Sequence, residues 1–187
     1  MEELISSKAR SCSSGIQDIL QVIECLNENT TMVEIGSYAG ESGKLFANSK
    51  KIIKLYCVDP WKNHYDDEHD SASWRFPMDK VETSFDIRMK PFISKYVKLK
   101  ETSLDAYPKF ADNSLDFVYI DGLHTFEGVF SDIQSWLPKI KLNGIISGHD
   151  YDKQRHSDVV KAVNLLLGIP DKTFCYYSWI KYLNKDS

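Results

Sequence analysis

No apolar run in this chain is long enough to span a bilayer. No basic head followed by an apolar core opens it, so the secretory-signal pattern is missing. Lys and Arg total 23 against 27 Asp and Glu, and the basic residues are scattered. That balance of −4 gives no electrostatic case for nucleic acid or an anionic membrane as partner. There are only four cysteines, and no two form a C-x-x-C pair, which removes zinc ribbons and redox motifs. Cys57 and Cys175 lie in strand-like runs and read as buried thiols. A reducing, cytoplasmic setting follows. Repeats, low-complexity tracts and inter-domain linkers are absent too. A length of 187 residues therefore reads as one domain, with residues 1–14 as an N-terminal extension.

What is present is a pattern of strands and helices. Ile16, Ile19, Leu20, Ile23 and Leu26 recur at helical spacing and predict a helix over about Gly15 to Asn27. Apolar, β-rich runs predict strands at Met32–Ile35, Ile52–Val58, Val97–Leu99, Leu115–Ile120 and Gly144–Ser147. Helices are expected at Glu41–Asn48, Thr125–Trp136 and Ser157–Leu167, the last with Ser157 as N-cap. Thr173–Tyr177 and Trp179–Leu183 read as an antiparallel pair of strands. Strands alternating with helices argue for a parallel sheet covered on both faces. Such sheets bind ligands beyond the carboxyl ends of their strands. Polar residues stand at all five expected ends: Glu34, Asp59, the segment 101–103, Asp121 and His149–Asp150.

The glycine turn Thr31–Ser42, TMVEIGSYAGES, is the strongest local signal. A strand runs into Glu34, Gly36 and Gly40, and then a helix starts. This device brings backbone against a nucleotide-like ligand. Asp59 follows at about the twenty-residue distance of a ribose contact. The pattern lacks the first glycine of G-x-G-x-x-G, which serves the tight turn over a pyrophosphate. A ligand without phosphates, such as S-adenosylmethionine, needs less of a nest.

Two further strand ends carry chemistry. Asp121-Gly122-Leu123-His124 follows one strand, and Ser147-Gly148-His149-Asp150 follows another. Carboxylates converging from neighbouring strands suit a hard cation such as Mg²⁺, and an imidazole broadens the choice toward Mn²⁺, Fe²⁺ or Zn²⁺. Equally, His124 or His149 could serve without metal as a general base. His64, His69, Asp66, Asp67, Glu68 and Asp70 cluster in an acidic, aromatic stretch, Trp61–Met78, that has no clear period; such long loops often serve as lids or binding loops, and the cluster reads as a solvated acidic face in preference to a metal site. Its aromatics Trp61, Tyr65, Trp74 and Phe76 suit a planar or sugar-like acceptor. His156 has no evident partner.

Together VEIGSYAGES, VDPW, Ser114–Tyr151 and VVKAVNLLL resemble the class I S-adenosylmethionine-dependent methyltransferases. The closer likeness is to the small methyltransferase-domain group related to catechol and macrolide-sugar O-methyltransferases. It runs from about Gln17 to Tyr182 and is weak from Lys62 to Tyr96. The resemblance implies an α/β fold: a three-layer Rossmann-like sandwich whose seven-stranded sheet is mostly parallel, with an antiparallel C-terminal strand. It implies S-adenosylmethionine as cofactor. Gly36, Ser37, Gly40 and Ser42 would back its methionine part, with Glu34 on the amine side. Asp59 would bind the ribose, and Thr102 or Ser103 would flank the adenine. Asp121 would lie near the transferred methyl, with His124 or His149 as proton acceptor. Metal-dependent relatives hold Mg²⁺ with an Asp at the position of Asp121 and an acidic/amide pair where this chain has His149–Asp150, so Asp121 and Asp150 are the candidate ligands. The expected reaction is O-methylation of a small-molecule hydroxyl. A nicotinamide-dependent oxidoreductase and a non-catalytic cofactor-binding module stand as alternatives. The former would need a Tyr-x-x-x-Lys dyad in a suitable helix, which the chain lacks, and a sheet that does not end antiparallel. The terminal strands and N-terminal helix offer surfaces for a homodimer.

Overall fold

The computed structural model describes residues 16–26, 28–65 and 72–183. Asn27, the segment 66–71 and both ends lie outside them, including Gly15, His69, Asp66, Asp67, Glu68 and Asp70. In chain order the elements are α1 (residues 16–24), β1 (Thr30–Ile35), α2 (Glu41–Asn48), β2 (Ile52–Val58), α3 (Ala72–Arg75), α4 (Met78–Met89), β3 (Tyr96–Leu99), α5 (Ser103–Ala106), β4 (Leu115–Ile120), α6 (Phe126–Trp136), β5 (Ile140–Gly148), α7 (Ser157–Leu167), β6 (Lys172–Thr173) and β7 (Trp179–Tyr182).

The seven strands form one sheet in the order β3-β2-β1-β4-β5-β7-β6. β1 to β5 pair in parallel, β7 runs antiparallel to β5, and β6 antiparallel to β7. The central strands are buried on both faces, which is why they read as unbroken apolar runs. One face packs Ile19, Phe46, Leu55, Phe85 and Phe117 beneath α1, α2 and α4. The other packs Val33, Val118, Ile133, Trp136 and Val163 beneath α6 and α7. Among the described residues no helix is long and apolar enough to cross a membrane.

Register sets the working edge. Leu99, Val58, Ile35, Ile120 and Gly148 stand opposite one another in a single row. The residue after each is Lys100, Asp59, Gly36, Asp121 or His149. The five strand ends thus open onto one edge of the sheet, as the sequence predicts.

The structure corrects several local readings. α4 was not foreseen: Met78, Val81, Phe85 and Met89 form its buried stripe, and Pro77 sets its start. Trp61, expected among the aromatics that face the acceptor, is instead a core residue: it is 4% exposed, packs 4.8 Å from Phe85 and donates its indole N–H to the Tyr38 carbonyl at 2.7 Å. The run Thr173–Tyr177 is not a strand. Only Lys172–Thr173 pairs, and Cys175–Tyr177 turns back with Tyr176 and Tyr177 at φ of 63° and 68°. Cys175 is exposed there, whereas Cys57 is buried as expected. His156, not Ser157, stands at the N-cap position of α7, without a side-chain capping hydrogen bond.

Candidate active site

The turn after β1 is built around three left-handed residues, Gly36 at φ 84°, Tyr38 at φ 42° and Gly40 at φ 76°. A Cβ on Gly36 would stand 2.0 Å from the Asp121 carbonyl oxygen, so only glycine lets the β1 and β4 turns touch. Asp59 holds the turn from the β2 end. Its carboxylate accepts the Tyr38 N–H at 2.8 Å and the Trp61 N–H at 2.7 Å. From α4, Arg88 donates to the Ala39 carbonyl and pairs with Glu41 at 3.0 Å.

Glu34 is fully buried and lies under this turn, off the cavity wall. Ser37 Oγ donates to its Oε2 at 2.7 Å, while Oε1 has no hydrogen-bond partner. Burial raises its pKa from 4.5 to about 7, against hydrogen bonds from Ser42 and Ser37 that lower it. An acid whose folded pKa is raised stabilises the protein below its unfolded pKa, and that stability is lost as pH rises through the folded value. Unfolding midpoints are therefore expected to fall between pH 5 and 8, with Glu34 supplying roughly 3 kcal/mol of the change. Glu34→Gln should remove its share of the slope and leave that of Asp132, whose pKa burial also raises to about 7; a denaturant series that keeps its full slope in the variant would refute this.

Above the turn lies a cavity of about 830 Å³. Gly36, Ser37, Ser42, Asp59, Ser103, Asp121, His124, His149 and Asp150 all line it. Gly40 and Thr102 do not: Gly40 caps α2 from behind, and Thr102 caps α5, its hydroxyl accepting the Asp105 N–H at 3.1 Å. Of the four loop aromatics, Tyr65 alone lines the cavity; Trp74 instead packs on His64.

At one wall a carboxylate sits among three imidazoles. Asp150 Oδ2 is 2.8 Å from His124 Nε2, and its Oδ1 is 3.1 Å from His149 Nδ1 and 3.5 Å from His156 Nε2. Asp121 Oδ1 stands 3.8 Å from His124 and 4.0 Å from His149. Asp150 reaches this position through a left-handed backbone, φ 58°. Burial works to raise the Asp150 pKa, but its hydrogen bonds and charge contacts with His124 and His149 outweigh that and hold it below the carboxylate range. Burial works to lower the His149 pKa; the Asp150 hydrogen bond and the Asp121 charge outweigh it and raise it. His156 thus has a partner that its sequence context hides.

Asp132 is the site residue that sequence reading missed. It lines the cavity from α6 at 6% exposure, and burial raises its pKa from 3.8 to about 7 against a Ser103 hydrogen bond. In FSDIQSW it looks like an ordinary helix-surface acid.

A family profile described as a methyltransferase domain matches residues 33–151, which holds the glycine turn and all of the Asp–His cluster except His156. The chain belongs to this methyltransferase family. It is of the class I, S-adenosylmethionine-dependent type. Two relatives by sequence are uncharacterized protein R132 of Acanthamoeba polyphaga mimivirus, 28% identical over 149 residues, and uncharacterized protein y4gI of Sinorhizobium fredii, 24% identical over 129. The matches take in 75% and 67% of this chain but 60% and 13% of those proteins. Among solved structures, the O-methyltransferase NovP superposes with a TM-score of 0.62 at 14% identity, over 95% of this chain and 80% of its own. A Corynebacterium glutamicum protein gives 0.66 at 13% identity, over 97% and 90%. Cofactor-bound Rv0187 from MTB gives 0.60 at 13% identity, over 94% and 81%. These likenesses bear on the fold. The methyltransferase sheet, ending in its antiparallel β6–β7 pair, is the architecture the resemblance implies.

Proposed function

We propose that this methyltransferase moves the methyl group of S-adenosylmethionine onto a hydroxyl oxygen of a small-molecule acceptor. The observation that carries the reading is the placing of Asp121, His124, His149 and Asp150 on the wall of the cavity that the glycine turn also lines. The likeness to the O-methyltransferase NovP supports oxygen as the acceptor atom.

The sulfonium methyl is already electrophilic, so the protein's work is to align the acceptor oxygen and take one proton. Orientation supplies much of the rate. The C–O bond forms as the S–C bond breaks, and the sulfur keeps the electron pair. The hydroxyl proton goes to an imidazole. His124 fits this role: at 25% side-chain exposure it faces the cavity more openly than His149, and Asp150 Oδ2, 2.8 Å from its Nε2, supplies a countercharge for the imidazolium that forms. Ser37, Ser42 and the backbone of the turn hold the methionine part, Asp59 the ribose, and Ser103 the adenine end. Glu34 acts through Ser37 and Ser42.

A divalent cation fits the same wall. Asp121, His124 and Asp150 each offer one ligand atom, all within 4.8 Å of one another. A cation there would lower the acceptor hydroxyl's pKa. Two carboxylates with an imidazole favour Mn²⁺, Fe²⁺ or Zn²⁺ over Mg²⁺.

His124→Ala is expected to cut turnover about 100-fold or more while leaving S-adenosylhomocysteine affinity within about threefold. Full turnover in both His124→Ala and His149→Ala would refute the imidazole base. Binding of S-adenosylhomocysteine without transfer to any hydroxyl acceptor would favour the non-catalytic module. Chelation tests the cation separately: activity that survives it and gains nothing on adding Mn²⁺ assigns the wall to proton transfer.

A further inference from the structure

Most acids on the cavity wall already have partners inside the protein. Asp59 is held by the Tyr38 and Trp61 N–H groups, Glu41 pairs with Arg88, and Asp121 and Asp150 face the imidazoles. The remaining two, Glu127 and Asp132, both belong to α6. The cavity's cations stand elsewhere and are far less engaged. Lys62, Arg75 and Arg155 line it, each from an exposed position. Among the described residues Lys62 and Arg75 form no ion pair and no side-chain hydrogen bond. Arg155 has only a loose pairing, Nε 3.8 Å from Asp152, which leaves the outer nitrogens of its guanidinium unpaired.

These cations are mounted on fixed backbone. Asn63, next to Lys62, ties its own segment to α3 and the start of α4. Its Nδ2 donates to the Ser73 and Phe76 carbonyls at 3.0 and 2.9 Å, and its Oδ1 accepts the Met78 N–H at 3.1 Å. The Trp74 ring meets His64 edge-on at 4.1 Å in the same join. Lys62 and Tyr65 are thereby brought alongside Arg75. Arg155 rides on the turn before α7. There the buried Asp152 accepts the Gln154 N–H on its carboxylate and the His156 N–H on its carbonyl, both at 2.9 Å. His156 belongs to the Asp–His cluster, so Arg155 stands one residue from the wall assigned to proton transfer.

We propose that the methyl acceptor carries an anionic group, a carboxylate or a phosphate, which Lys62, Arg75 and Arg155 hold while its hydroxyl faces His124. This deepens the hydroxyl-acceptor reading and rests on it. A guanidinium offers a planar fork of donors that matches either anion, and the Lys62 ammonium adds a point charge. A cleft with low-dielectric walls focuses the field of such charges on what enters it. In a chain of net charge −4 the attraction is local to this cavity, so anionic acceptors are drawn to the site and neutral ones are not. The competing occupant is the cofactor's own carboxylate, and cofactor affinity separates the two.

Protein saturated with S-adenosylhomocysteine is titrated at constant ionic strength with inorganic phosphate, with benzoate and with benzamide, the neutral twin of benzoate. Phosphate or benzoate should bind saturably at millimolar concentration, at least about 10-fold more tightly than benzamide. Whichever anion binds better tells whether the acceptor's group is a phosphate or a carboxylate. Arg75→Ala and Arg155→Ala should each weaken that anion about 10-fold or more, with S-adenosylhomocysteine affinity within about threefold of wild type. Both side chains are exposed, so the variants keep the fold. The proposal is overturned if neither anion binds saturably, if benzamide matches the better anion, or if anion affinity survives both substitutions. Loss of S-adenosylhomocysteine affinity in step with that of the anion also overturns it, assigning the cations to the cofactor's carboxylate. Failure of wild type to bind S-adenosylhomocysteine at all would instead sink the cofactor reading itself.

Discussion

Gly36→Ala is expected to abolish S-adenosylhomocysteine binding and to destabilise the fold by about 3 kcal/mol or more. Two independent costs meet at this position. The backbone is left-handed, φ 84°, where a Cβ is strained whatever the space. The space is also filled: the added carbon would lie 2.0 Å from the Asp121 carbonyl oxygen, 2.5 Å from its carbon and 2.9 Å from the Gly122 nitrogen. These are backbone atoms, with no side chain to swing aside. The Asp121 N–H is tied to the Ile35 carbonyl at 2.8 Å, so relief would require parting β1 from β4 at the centre of the sheet. The displaced turn would carry Asp121 with it, and with Asp121 one side of the Asp–His cluster. Denaturant unfolding and calorimetry on the same preparation read both effects. A variant with an unshifted midpoint and normal affinity would mean the two turns do not touch.

Asp150→Ala should lower turnover by 100- to 10,000-fold while S-adenosylhomocysteine affinity changes by less than about threefold. Asp150 lies within 3.5 Å of His124, His149 and His156. Without it, both His124 and the buried His149 lose their nearest countercharge. The alanine would also inherit a left-handed backbone that the cluster no longer offsets. The glycine turn is untouched, because its contacts run to Asp59, Arg88 and Asp121. The split between turnover and affinity is the diagnostic. Loss of both together would mean that Asp150 supports the fold, and loss of neither that the imidazoles work without it.

How far these sites are legible along the chain depends on how local their causes are. VEIGSYAGES announces itself, since positive φ at a strand-to-helix turn favours glycine, and at Gly36 the close approach of backbone requires it. Trp61 misleads. Beside charged and polar neighbours it looks like a ligand platform, yet Phe85 of α4, twenty-four residues on, buries it. α4 escapes notice for a related reason: its stripe of Met78, Val81, Phe85 and Met89 is thin and follows an acidic stretch with no period. Asp132 gives no signal at all, because what makes it unusual is Ser103 and Gly122, which arrive from other elements.

The sequence by itself determined the parallel sheet, the glycine turn and the polar strand ends. Strands buried on both faces must be apolar throughout, and a chain leaving such a strand must turn polar where it meets solvent. Only the tertiary structure decided which of those ends meet. Sheet order and register are set by pairings between distant segments. They bring His124 from the β4 turn onto Asp150 beyond β5 and His156 before α7, and they hang Asp132 over the β3 end. Contacts of that kind follow from the packing of whole elements, and no local pattern of residues encodes them.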